Sequence, residues 1–415
     1  MTQLALTSEE QRWLSGDAGP VRKLAMEVTV ATADAVGATE LVPVEFAHIN
    51  SCFWVGQISV DFAEFLIANN ASFAVPTHLN ASVIDRGAVH RSEALFPEES
   101  KGAGRLMEIY EALGANPMWT CAPYHEPEGR PPFGQQIIGS ESNAVSFFNS
   151  VLGARTNKYG DFLDVCGALI GKVPLAGLHT DEGRFATHLF SVELESAVLT
   201  DPRIAHVLGI ILGANCGSAI PVLDGLPEST TEEDLKAIAA AGATSGAVEM
   251  FHAVGVTPEA QTLSDALGGR TPAKRTVIDN ALVQETLDAL STASSEPVDT
   301  ICLGAPHFSV EGFAELHGAL DGRRLAPGVR CLVTTSRAVF QEVQLRGWTG
   351  SLEEAGVEVI LDTCSYFTPK MPQLGRHVIT NSAKWAYYAP GMLGLDVTFS
   401  NIEGCVEAGV AGVSR

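Results

Sequence analysis

Apolar, β-prone runs the length of single strands alternate along this chain with longer alanine- and leucine-rich segments, and that alternation constrains the fold more than any other feature. It reads as an α/β layer architecture, with helices covering mixed or parallel sheets. Local signals agree with it. Thr7 and Glu10 form a capping box for a short helix, and Pro20 suits the first turn of a second helix that ends near Gly37. Leu41 to Ile49 reads as a buried strand that runs into Asn50-Ser51-Cys52-Phe53-Trp54, and Phe73 to Pro76 as another that empties into Thr77-His78-Leu79-Asn80. Polar segments beyond the carboxyl ends of strands are where open α/β sheets place ligands. Further on, an N-cap within Ser229 to Thr231 precedes the acidic first turn Glu232-Glu233-Asp234 of a helix running through Ala241. Asp299 to Leu303, Arg330 to Thr335 and Val357 to Asp362 read as strands, with helices near Glu311 to Ala319 and Ala338 to Gly347. That regularity predicts a doubly wound subdomain over 291–415, separate from an α/β region over 1–290, with a soft boundary in Ser291 to Glu296.

Charge narrows the partners. The 415 residues carry 26 basic and 49 acidic side chains, a net charge of −23, and that field repels phosphate backbones and anionic membrane surfaces. Nucleic acid is excluded as an expected partner. A site for a small anionic substrate in such a chain must supply its own local cations or metal. No stretch approaches the roughly 18 uninterrupted apolar residues that a membrane helix needs. The amino terminus carries Glu9, Glu10 and Asp17 instead of a basic flank and apolar run, so the expectation is a cytoplasmic protein without a secretory signal.

The eight cysteines (Cys52, Cys121, Cys166, Cys216, Cys302, Cys331, Cys364 and Cys405) are spread singly, with none of the close pairs of a zinc ribbon. Most are expected to be reduced, buried thiols. Cys166, Cys216 and Cys331 sit in apolar or glycine-rich settings, and Cys405 reads as a helix-packing residue. Two segments stand apart. Cys121-Ala122-Pro123-Tyr124 is followed by Gly139-Ser140-Glu141-Ser142 and by Asn149 to Asn157, and Asp362-Thr363-Cys364 closes a strand.

These segments, with phrases spread from His48 to Cys405, resemble the large or catalytic part of aconitase X, the divergent branch of the aconitase superfamily. The resemblance implies an aconitase-like multi-layer α/β fold and a hydro-lyase that dehydrates a small hydroxy acid. Such chemistry needs a base for a carbon-bound proton and an acid or Lewis acid for the departing hydroxide. An iron-sulfur cluster of two to four irons, held by three thiolates with one position open, is the cofactor the resemblance implies. Cys121 and Cys364 match two of the family's cluster cysteines. The third lies in a Gly-Cys-Pro-His turn in the family, whereas this chain reads Gly304-Ala305-Pro306-His307. Cys302, three residues before Ala305, is the expected substitute, with Cys52 the alternative and a smaller or differently held cluster also open.

Glu141 with Ser142, and Lys384 in Asn381-Ser382-Ala383-Lys384-Trp385, match family residues that contact substrate, so Glu141 and Lys384 are the expected catalytic pair. Glu141 is also a general acid or base if burial raises its pKa. Ser51, Cys52, Phe53, Asn80 and Ala81 complete the expected substrate contacts. Phe53 stands where relatives acting on a phosphorylated substrate have a small hydroxyl residue, and Ala81 where they have proline. The bulk of Phe53 favours a smaller, unphosphorylated ligand, hence cis-3-hydroxy-L-proline over mevalonate 5-phosphate. Arg155 is expected either to pair with a substrate carboxylate or to form an internal ion pair, and His179 and His252 to be structural. The superfamily adds a small swivelling domain that supplies a serine base, and the resemblance uses nearly all of this chain, so a small partner subunit and a heterodimer are expected. Two other classes stay open: a non-catalytic aconitase-like metabolite-binding protein, and a hydro-lyase with a single metal ion.

Overall fold

In the computed structural model, which describes residues 4–88, 97–293, 297–365 and 374–414, four sheets are layered with helices. The predicted soft boundary at Ser291 to Glu296 extends beyond residue 293, and residues 294–296 lie outside the described ones. Three sheets are wholly parallel, and the fourth is an antiparallel pair, Leu41–Pro43 with Lys172–Pro174. Parallel strands need crossover connections, which the intervening helices supply.

The five-stranded sheet runs in the spatial order Val357–Leu361, Arg330–Thr335, Thr300–Phe308, His377–Thr380, Asp396–Phe399. Sequence order reverses between Thr300–Phe308 and His377–Thr380, which makes their carboxyl ends a topological switch point. Three segments project from that edge: Gly304 to His307, where the first strand bulges, Asp362 to Cys364, and Asn381 to Lys384. Gly304 has φ +92°, and a Cβ there would lie 2.2 Å from the Thr334 carbonyl, so only glycine allows the chain to turn. Asp362 is also left-handed, at φ +65°, and its buried carboxylate accepts a 2.7 Å hydrogen bond from Arg337 Nε.

A three-stranded parallel sheet (Thr77–Leu79, Ala47–Ile49, Ile138–Gly139) presents its own carboxyl ends, carrying Asn80, Asn50 to Phe53, and Ser140 to Asn143. The two edges dock directly. The Ser82 amide donates to the Asp362 carbonyl at 2.7 Å, and the Leu361 amide to the Asp85 carboxylate at 3.2 Å. A four-stranded sheet (His252–Ala253, Pro221–Asp224, His188–Val192, Lys274–Ile278) lies between these regions in sequence. Its helices Ile204–Cys216 and Glu232–Ser245 approach so closely that a Cβ on Gly213 would lie 2.6 Å from the Gly242 carbonyl.

The predicted capping box of Thr7 with Glu10 is formed, and the N-cap expected within Ser229 to Thr231 is Thr231, which closes a capping box with Asp234. The run Leu41 to Ile49 departs from expectation. It splits into Leu41–Pro43 and Ala47–Ile49, which belong to different sheets. The amides of Val44 and Glu45 between them bond to Gly171 and Gln136 instead of continuing one ladder. Likewise the strand near Pro76 is Thr77–Leu79, with Pro76 contributing only its carbonyl, to the Ala47 amide. Among the described residues no helix is long and apolar enough to cross a membrane.

Candidate active site

Cys121 and Cys364 meet across the docked edges with their sulfurs 3.6 Å apart. Both are buried, and the only group of three metal-ligating side chains found among the described residues is Cys121, His307 and Cys364, whose donor atoms lie within 4.8 Å of one another. The two sulfurs lie within hydrogen-bonding distance, and either can donate. The bond between them and burial push the Cys364 thiol up; for Cys121 burial acts upward too, but the bond with Cys364 brings it below the usual thiol range. Two thiolates on one tetrahedral metal at about 2.3 Å would stand about 3.8 Å apart, so the pair fits a shared metal with almost no rearrangement.

The remaining donors are arranged differently from expectation. Cys302 does not join the pair: it sits within the strand Thr300–Phe308, flanked by Leu332 and Thr380, where burial pushes its thiol well up. Alternation along the strand, with Gly304 turning the chain beyond it, leaves that sulfur in the core. Cys52 is elsewhere too, its thiol donating to the carbonyls of Ile49 and Asn80 at 3.4 and 3.5 Å. His307, which the sequence reading passed over although it lies in the altered turn, fills the third corner. Both ring nitrogens are already engaged: Nε2 with the Thr363 carbonyl at 3.0 Å and Nδ1 with Thr120 Oγ1 at 2.9 Å. In the neutral tautomer that donates through Nε2, Nδ1 accepts from the Thr120 hydroxyl. The His307 amide also donates to Cys121 Sγ at 3.3 Å. His307 therefore braces the residues preceding both cysteines, and the side chains gathered here offer a metal two thiolates, not three.

Beside the thiolates stands a buried ion pair. Lys384 Nζ lies 2.9 Å from Glu141 Oε1, with the two side chains 5% and 11% exposed. Lys384 occupies the first turn of the helix Ala383–Leu393, where the helix dipole disfavours a cation and the Glu141 carboxylate offsets that cost. Ser382 caps that helix by accepting from the Trp385 amide and hydrogen-bonds the Ala305 carbonyl. Trp385 Nε1 reaches Ser365 Oγ at 3.0 Å, tying the helix to the Cys364 loop. Burial alone would raise the Glu141 carboxyl, but the charge and hydrogen bond of Lys384, with help from Asn143, hold it at about 2. Glu141 is therefore a stable carboxylate, not a poised acid.

Asn143 joins the two halves of the site. Its Nδ2 donates to Glu141 Oε1 at 2.7 Å and to the Cys121 carbonyl at 3.1 Å, while its Oδ1 accepts from Tyr124 Oη at 2.8 Å. Ser142 Oγ lies 3.4 Å from the same Glu141 oxygen. His48 Nε2 meets the Thr120 carbonyl at 2.9 Å, and burial holds this imidazole neutral, its pKa near 4. Several fully buried polar atoms of this neighbourhood have no protein partner: His48 Nδ1, Asn80 Oδ1 and Thr363 Oγ1. Polar atoms left unpaired in a buried setting are costly unless a ligand or water meets them.

Of the other expected substrate contacts, Asn80 donates to Asn50 Oδ1 at 2.6 Å, and Ala81 is packed in the core that also holds Cys121 and Cys364. Phe53 packs against the core of the first region, and the Ser51 hydroxyl is held by Asp164 and the Phe162 amide. Arg155 pairs with Asp181, an internal ion pair. His179 and His252 are hydrogen-bonded within the protein, to Tyr159 and Gln136 and to the Arg184 carbonyl.

Parallel sheets that converge edge to edge on a thiolate pair and a buried acid–lysine pair define a multidomain α/β protein of the aconitase type. The comparisons with known proteins agree. Residues 3–182 match the aconitase X first domain, 186–288 the second and 298–411 the third. The chain is 40% identical to the cis-3-hydroxy-L-proline dehydratase of Pseudomonas aeruginosa over 412 residues, covering 99% of this chain and 70% of that protein. It is 35% identical to the phosphomevalonate dehydratase large subunit of Methanothermobacter thermautotrophicus, covering 95% of this chain and 96% of the subunit. The crystal structure of holo aconitase X from Thermococcus kodakaraensis superposes with a TM-score of 0.87 at 28% identity, covering 97% of this chain and 99% of that one. This chain belongs to the aconitase X family, whose curated relatives here are dehydratases.

Proposed function

We propose that this chain is the metal-bearing large part of a hydro-lyase that removes water from cis-3-hydroxy-L-proline. One observation carries the reading: Asn143 bonds at once to the backbone of the thiolate Cys121 and to the carboxylate of the Glu141–Lys384 pair. Metal chemistry and substrate recognition thus share one rigid unit. Cys121 and Cys364 would hold the metal centre, an iron-sulfur cluster in this reading, and when bound it supplies the Lewis acid that accepts the departing hydroxide.

The paired charges fit a zwitterion. The carboxylate of an amino acid would pair with Lys384, and its ammonium with Glu141, each charge meeting an opposite one where water is scarce. A phosphate ester without an amine would meet only Lys384 productively and would face Glu141 as a like charge. The substrate of the Pseudomonas aeruginosa relative is in line with this. A carboxyl held at about 2 is a weak base, so Glu141 binds and orients rather than abstracting the carbon-bound proton. We assign that step to a swivelling domain on a small partner subunit. The match to 96% of a chain named as a large subunit supports the assignment.

The test is anaerobic co-expression with a candidate small subunit, iron and sulfide assay, and turnover of cis-3-hydroxy-L-proline beside mevalonate 5-phosphate. Activity on the phosphate ester alone would overturn the substrate. Full turnover by the isolated chain would overturn the partner. A preparation free of iron would favour the metabolite-binding reading, which the alanine at position 305 permits.

A further inference from the structure

Asp164 is a fully buried carboxylate with no paired cation among the described residues. It lies in the first turn of Leu163–Ile170, a helix whose every other residue is apolar or glycine and which is buried from Asp164 onward. Burying a carboxylate this way is costly unless its oxygens are met by donors. They are: Oδ2 accepts from the amides of Asn50 and Ser51 at 2.7 and 3.1 Å and from Ser140 Oγ at 2.9 Å, while Oδ1 accepts from Ser51 Oγ and from the Val165 amide at 2.7 Å. The helix N-terminus adds its positive end.

Four of those five donors come from the carboxyl ends of two neighbouring parallel strands. Asn50 and Ser51 follow Ala47–Ile49, and Ser140 follows Ile138–Gly139, immediately before Glu141. The same turn reaches the third strand end as well: Asp161 Oδ1 accepts from Asn50 Nδ2 at 2.8 Å, and Asn50 Oδ1 accepts from Asn80 Nδ2 at 2.6 Å. Ser51 Oγ in return accepts from the amide of Phe162, whose φ is +70°, so the turn and the loops fix one another.

We propose that Asp164 is a positioning residue: it ties the loop after Ala47–Ile49 to the segment that carries Glu141, and so sets the Glu141 carboxylate against its substrate. The inference rests on the assignment of Glu141 to substrate binding made above. Ser51 and Ser140, in this view, serve the reaction through Asp164 and not by touching substrate. An amide in its place offers one acceptor oxygen and a nitrogen that would face donors, so the five-donor arrangement cannot persist in Asp164→Asn. Small misplacements of a site group cost about 100-fold in rate.

The test uses the metal-loaded complex with its small subunit. Asp164→Asn and the milder Ser140→Ala are compared with wild type by kcat and KM for cis-3-hydroxy-L-proline, by Tm, and by hydrogen exchange at the amides of Asn50, Ser51 and Phe162. Expected are a kcat loss of about 100-fold for Asp164→Asn and about tenfold for Ser140→Ala, faster exchange at Asn50 and Ser51 in Asp164→Asn, and a double variant no slower than Asp164→Asn alone. If Asp164→Asn does not fold, the kcat of Ser140→Ala at unchanged Tm decides. Unchanged exchange in Asp164→Asn, multiplicative losses in the double variant, or full activity of Ser140→Ala would overturn the proposal. Should wild type turn over no hydroxyproline, the functional reading fails, while the exchange measurement still decides whether Asp164 holds the loops.

Discussion

Lys384 Nζ lies 2.9 Å from Glu141 Oε1, joining the carboxyl edge of the five-stranded sheet to that of the three-stranded sheet across 243 positions of sequence. Breaking one side of a buried pair leaves an uncompensated charge, whereas removing both leaves none. Lys384→Met is therefore expected to lose about 3 kcal/mol of unfolding free energy, and Glu141→Gln/Lys384→Met to regain most of it. Both variants are expected to lose turnover by at least about 100-fold. Denaturant unfolding paired with steady-state kinetics separates the two effects. Recovery of activity along with stability in the double variant would show the pair to be structural only.

The same pair leaves a signature in acid. The Glu141 carboxyl is held at about 2 in the folded protein against an ordinary 4.5. A depressed folded value contributes stability that is fully present above the unfolded value and is lost as pH falls from about 4.5 through about 2. Between those limits wild type should lose unfolding free energy more steeply with falling pH than Glu141→Gln. Parallel slopes for the two proteins across that window would contradict the buried ion pair.

Metal content distinguishes the cysteines. With their sulfurs 3.6 Å apart, Cys121 and Cys364 are placed to share a metal, while Cys302 within its strand and Cys52, which donates to the Ile49 carbonyl, stand outside that group. Cys121→Ser and Cys364→Ser are expected to lose nearly all bound iron after anaerobic reconstitution, and Cys302→Ser and Cys52→Ser to retain it. Iron and sulfide assays with visible absorbance read this directly. Loss of iron from Cys302→Ser at unchanged Tm would restore that residue as a ligand.

What could be read in the sequence follows the range of the interactions involved. The capping box at Thr7 and the N-cap at Thr231 depend on side chains three residues apart, and both were legible. Arg330–Thr335 was legible to the residue because Cys331 to Thr335, buried in a parallel sheet, reads as a short apolar and β-branched run. The split of Leu41 to Ile49 was not, since it depends on Gly171 and Gln136, far along the chain. Resemblance brought Cys121, Cys364, Glu141 and Lys384 forward together, but Cys302 was chosen by closeness in sequence to Ala305, and the strand Thr300–Phe308 that holds both keeps its sulfur in the core. Asp164 left a faint trace that was passed over: a lone acid within Leu163–Ile170, an otherwise apolar helix. Its five donors arrive from three segments, which no local pattern records.

Arg184 provides the remaining test, away from the thiolates. Its side chain is 2% exposed, and all three guanidinium nitrogens are engaged, by Glu259, by Asn149 Oδ1 and the Asn149 carbonyl, and by the Leu178 carbonyl. Asn149 in turn fixes Thr156, whose hydroxyl accepts from the Gly139 amide at 2.9 Å, two residues before Glu141. Arg184→Met would strand the Glu259 carboxylate and the Asn149 oxygens, a loss expected at about 3–5 kcal/mol. Lysine cannot reproduce the planar fork, so Arg184→Lys is expected to recover less than half of that. Urea unfolding measures both. A loss below about 1 kcal/mol in Arg184→Met, the range of an exposed pair, would mean that the guanidinium network contributes nothing that packing does not already supply.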